Sequence, residues 1–129
     1  MKSDQFLAHV RDRGEYRDQA EAMQITEAVL RVLNSRITGG EAKDLASQLP
    51  EPIDQTLLES TEAAESFGIT EFLRRVAERT GAQPGTAESD ASAVLSTLAE
   101  AVSGGECNQL ITQLPSSYAP LFGEPELAG

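Results

Sequence analysis

Two stretches of this chain have the composition of a phosphate loop. Thr38-Gly39-Gly40-Glu41 and Ser103-Gly104-Gly105-Glu106 each place two glycines ahead of an apolar helical pattern. Bare N–H groups at a glycine-rich helix start can hold a phosphate. A nucleotide loop of that kind also needs G-x-x-x-x-G-K-[ST], whose lysine reaches the phosphates. Neither stretch has that pattern. Both fit S/T-x-x-E, the capping box, in which the hydroxyl accepts from a backbone N–H three residues on. The glutamate then reaches back to the N–H of the cap residue. It also puts negative charge where an anion would sit. Thr38, Glu41, Ser103 and Glu106 are therefore expected to start helices and to bind no anion.

Other reactive residue types are sparse. His9 is the single histidine, and its counterpart in the second half is Arg75. A histidine without His or Cys neighbours is a poor metal ligand and lacks the positioned partner that acid–base work needs. Cys107 is the single cysteine, so neither a disulfide nor a thiolate cluster can form within the chain. It replaces Ala42 and is expected to be a small buried thiol. No E-x-x-H occurs, which leaves a di-iron carboxylate bundle unsupported. No catalytic set, metal site or cofactor is expected, and the chain reads as non-enzymatic.

Arginines cluster at two places, Arg11, Arg13 and Arg17, then Arg74, Arg75 and Arg79. Arg13 and Arg79 correspond, each in a last helical turn where the helix dipole favours a cation. The competing reading is an arginine patch for an anionic ligand or acidic partner, with Arg74 and Arg75 as its candidates. Beyond Arg79 there are six carboxylates and no Lys or Arg. The net charge is −11 and the pI about 4.4. A polyanion would be repelled, so nucleic acid and anionic membranes are not expected partners. The opening MKSDQFLAHV carries Asp4 where a signal peptide needs an apolar run, and no run reaches the length of a membrane span. The cytoplasm is the expected compartment.

The elements that position these residues are written twice. EAVLRVLNSRITGGEAKDLASQLP (27–50) aligns with SAVLSTLAEAVSGGECNQLITQLP (92–115) at an offset of 65. QFLAHVRDR (5–13) aligns with EFLRRVAER (71–79) at an offset of 66. Each copy predicts a short helix (4–13, 70–79) with Asp4 or Thr70 as N-cap. A long helix (18–36, 84–101) follows. Its stripe Ala22, Thr26, Val29, Leu30, Leu33, Ile37, matched by Ala87, Ala91, Val94, Leu95, Leu98, Val102, has helical period. A third helix (40–48, 105–113) ends at Pro50 or Pro115, and a last turn follows (51–59, 116–122). The expected fold is all-α: one domain over 1–129, with repeat one at about 4–59, a linker at 60–69, repeat two at about 70–122 and a loose tail at 123–129. The two three- to four-helix copies would pack as one bundle about a pseudo-twofold axis.

The copies differ on one flank. Ile25 and Val32 face Asp90 and Thr97 in the alignment, and Met23 faces Glu88. Either the first long helix is buried more deeply, or Ile25 and Val32 form an apolar strip for a partner.

The phrase LNSRITGGEAKDLASQLP, preceded by FLAHVRDRGEY and followed by ITEFLRRVAERTG, resembles the bacterial family called domain of unknown function 2267. The likeness runs over about 4–122. It implies a prokaryotic protein and supplies no activity, cofactor or site residue. The leading expectation is an acidic protein–protein interaction or scaffold module, self-association included, with Ile25, Val32, Arg74 and Arg75 as its candidate surface. The alternative is a carrier or sensor for a small molecule, with an apolar cavity between the repeats.

Overall fold

The structure is a computed structural model that describes residues 1–59 and 64–123. Residues 60–63 of the expected linker and 124–129 of the expected tail lie outside the described residues.

Among the described residues the fold is all-helical. The helices are α1 (Ser3–Gly14), α2 (Gln19–Arg36), α3 (Gly39–Ala46), α4 (Ile53–Leu58), α5 (Ile69–Thr80), α6 (Pro84–Ala101) and α7 (Gly104–Thr112), then a 3₁₀ helix over Ser116–Phe122. No described helix is long and apolar enough to cross a membrane.

The local signals act as their chemistry requires. Asp18 caps α2 by accepting from the Glu21 N–H at 2.9 Å. Pro84 stands in the first turn of α6, where its missing N–H leaves no bond unmade. Asp4 and Thr70 are not the caps of α1 and α5. Lys2 and Gly68 hold those places, and the two expected caps lie inside the helices. The reason at α1 is visible: Gln5 Oε1 accepts from the Lys2 N–H at 2.9 Å, which starts the helix earlier. The expected last turn of the second half forms as the 3₁₀ helix, with Pro120 inside it.

The long-helix stripes meet in one apolar core. Ala22, Thr26, Val29, Leu30, Leu33 and Ile37 are all buried, as are Ala87, Ala91, Val94, Leu95, Leu98 and Val102. Helix α2 packs on α6, and both α1 and α5 pack against this pair. Helices α3 and α7 meet at one edge, backed by α4 and the 3₁₀ helix. Phe72 of α5 meets Tyr118 edge to face, with centroids 5.3 Å apart. Cys107 is half-buried at the edge of this core rather than enclosed in it.

The strand of chain entering α5 is held firmly. The Glu65 N–H donates to Ser35 O at 2.8 Å, and Arg36 Nε donates to Phe67 O at 2.8 Å. The Arg75 guanidinium lies 4.1 Å from the centre of the Phe67 ring, a cation–π contact.

Candidate functional site

The expected apolar strip is not a surface. Val32 is 2% exposed, and Ile25 is half-buried against the core. The strip is therefore no open partner surface: Val32 is covered by other helices except where it lines the groove between α2 and α5. Helix α2 packs on α5 as well as on α1 and α6.

The aligned flank of α6 is equally buried but polar. Asp90 is 3% exposed and Thr97 is fully buried. The end of α1 supplies their partners. The Tyr16 hydroxyl donates to Asp90 Oδ1 at 2.5 Å. Arg13 donates to Thr97 Oγ1 at 2.8 Å and to Glu100 Oε1 at 2.6 Å. Gly14 permits this approach, because a Cβ there would strike the Tyr16 ring. Burial pushes the Asp90 carboxyl above its ordinary range, and the Tyr16 hydroxyl pulls it part of the way back.

Arg79 is the counterpart of Arg13, and it faces a different set of side chains. The positions aligned with Thr97 and Glu100 are Val32 and Ser35, and neither offers a carboxylate. Arg79 lines an open groove of about 390 Å³ with Val32, Ser35, Glu65, Arg74, Arg75 and Glu78. Among the described residues Arg79 has no hydrogen bond or ion pair. Its neighbours are committed. Arg74 donates to Glu71 at 2.7 Å and to Glu78 at 2.7 Å. Arg75 donates to Glu71 at 2.8 Å and to Glu65 at 3.0 Å. The two guanidiniums hold the Glu71 carboxyl well below the usual range. The structure thus brings Val32, Arg74 and Arg75 to one groove and leaves Ile25 off its lining. Arg79 is the residue there that could meet a new anion.

The Gly-Gly-Glu corners hold a second arrangement. Thr38 Oγ1 accepts from the Glu41 N–H at 3.2 Å, and Ser103 Oγ accepts from the Glu106 N–H at 3.1 Å. Half of each expected capping box is present. The other half is not, since neither glutamate reaches back to its cap. The Thr38 N–H donates instead to Gln113 Oε1 at 3.1 Å, and the Ser103 N–H to Gln48 Oε1 at 2.7 Å. Each glutamine comes from the opposite half of the chain and satisfies the cap donor.

Released from that task, Glu41 and Glu106 turn inward. Glu41 is 4% exposed and Glu106 9% exposed, and Oε2 of each is buried without a hydrogen-bond partner among the described residues. One carboxylate oxygen each from Glu41, Glu106 and the exposed Asp44 lie within 4.8 Å of one another. Burial first, then Glu106 and Asp44, raise the Glu41 carboxyl well above its ordinary range. The sequence reading expected no metal site and missed this convergence. The signal was present in Gln48 and Gln113, which recur 65 positions apart in front of each proline. Their role depends on α3 and α7 meeting, which no local pattern shows.

A search of the curated proteins finds no match to the chain. The model of the uncharacterized conserved protein family DUF2267 matches residues 3–121, and the chain belongs to that family.

Proposed function

We propose that the chain is a non-enzymatic protein-interaction module of the cytoplasm. Its groove between α2 and α5 takes a carboxylate-bearing segment of another protein or of a second copy. The observation that carries this reading is Arg79, which among the described residues has no ion pair, beside Arg74 and Arg75, which are paired to Glu71, Glu78 and Glu65. A cationic spot on a protein of net charge −11 selects a local anionic group and does not attract polyanions over its whole surface. The same proposal takes the chain to be a tandem duplication packed about a pseudo-twofold axis. The crossed cap bonds, Thr38 to Gln113 and Ser103 to Gln48, support it because both members of each bond are displaced by the same offset.

The test is a light-scattering mass together with retention of cell proteins on the immobilised chain. Specific retention, or a dimer mass, lost on Arg79→Glu with the melting temperature unchanged is the expected result. A strict monomer that retains nothing, or retains the same proteins after Arg79→Glu, overturns the reading.

A small anionic ligand is the second reading, favoured by the groove volume of about 390 Å³, which lies within the range of ligand pockets. The mainly polar lining of this groove does not suit apolar cargo. A ligand at 100 times its Kd should add about 2.7 kcal/mol of stability, which a thermal-shift screen of anionic metabolites would register.

A further inference from the structure

We propose that Glu41, Glu106 and Asp44 form a site for one hard divalent cation of calcium size, at the junction of α3 and α7. The three carboxylate oxygens already lie within 4.8 Å of one another. Calcium–oxygen distances are about 2.3–2.6 Å, so three oxygens evenly spaced round the ion stand about 4.0–4.5 Å apart. The three carboxylates are therefore within small side-chain adjustments of one calcium sphere. Magnesium, at about 2.1 Å, requires a tighter and more regular sphere.

Burial supplies the second argument. Oε2 of Glu41 and Oε2 of Glu106 are shielded from water and accept no hydrogen bond among the described residues. Unpaired buried carboxyls are costly, so such a pair calls for a proton or a cation between its members. The helix starts beside them supply roughly +0.5 of charge each, about +1 in all against −3 for three ionised carboxylates. A dication removes most of the remainder. The crossed caps from Gln48 and Gln113 free both glutamates for this task. Asp44 is exposed, which gives an ion entry and leaves room for water ligands.

The experiment is calorimetric titration of the chelator-stripped full chain with calcium chloride, then magnesium chloride. One calcium per chain, tighter than magnesium, with a rise in melting temperature, is expected. Glu41→Gln combined with Glu106→Gln should abolish binding. Asp44→Asn, at an exposed position, should weaken it at least about tenfold. Should the double variant fail to fold, Asp44→Asn and the stoichiometry decide alone. No calcium or magnesium binding would overturn the proposal. Binding of several ions per chain, or binding indifferent to Asp44→Asn, would mean surface adsorption and overturn it equally.

Discussion

Helix α1 docks on α6 through polar groups, whereas the aligned region, α5 on α2, presents an apolar flank; an open groove borders each, of about 500 Å³ beside Arg13 and about 390 Å³ beside Arg79. Tyr16 and Arg13 meet Asp90, Thr97 and Glu100 on one side. Val32 and Ser35 stand in the places of Thr97 and Glu100 on the other. Both flanks are buried, so the two chemistries complete the same fold. They differ in what is left over. The polar dock pairs its arginine, Arg13, while the apolar one leaves Arg79 without an ion pair among the described residues, though each lines a groove. Matched positions can thus keep a scaffold intact while only one of them ties up its cation.

Charge placed into the apolar side should break the comparison most strongly. Val32→Asp buries a carboxylate without a partner, and we expect a loss of about 3 kcal/mol or more in denaturant unfolding. Were Val32 on an exposed strip, the change would stay within about 0.5 kcal/mol. Ile25→Asp should cost less, because Ile25 is only half-buried.

The polar side should break next. Tyr16→Phe removes the 2.5 Å bond to Asp90 and leaves a buried carboxyl short of its donor. The expected loss is about 2 kcal/mol. Adding Asp90→Ala should cost less than the sum of the two single changes, since the second removes the group that the first orphans. Strict additivity would show that the bond contributes nothing to stability.

The corner ahead of each long helix sharpens the contrast with a smaller effect. Gly81 ends α5 in the left-handed region at φ 74°, and Glu15 ends α1 there at φ 55°. A side chain pays for that conformation and glycine does not. Glu15→Gly should therefore stabilise the chain by about 0.5–1 kcal/mol, read as a shift of the denaturation midpoint. A loss of stability would mean that the Glu15 side chain holds the corner in some other way.

These sites divide between what a local pattern reveals and what it cannot. The stripe from Ala22 to Ile37 told which face of α2 goes inward, because helical period is a property of neighbours in sequence. Thr38 and Ser103 were legible as caps for the same reason. Ile25 and Val32 were not placed, since covering them takes a helix from elsewhere in the chain. The Glu41 carboxyl was misassigned because Gln113, 72 positions beyond Glu41, takes the cap donor that Glu41 was expected to serve. Asp90 was legible only as the polar counterpart of Ile25, because the Tyr16 hydroxyl that donates to it comes from the other half of the chain. In each case the missing term was a partner from the other half of the molecule.

The smallest effect on stability offers the finest test. Val32→Thr with Ser35→Glu copies the Thr97 and Glu100 arrangement beneath Arg79. The new hydroxyl and carboxylate should accept from its guanidinium as Thr97 and Glu100 accept from Arg13. A partly exposed ion pair adds little, and a buried hydroxyl costs something unless bonded, so stability should stay within about 1 kcal/mol of the wild type. The Arg79 side-chain N–H resonances should become protected from exchange, and any ligand of the groove should be lost. If stability holds while Arg79 remains unprotected and the groove still binds, then the absence of a carboxylate at Ser35 is not what leaves Arg79 free. The difference between the two docks would then lie in helix spacing and not in these side chains.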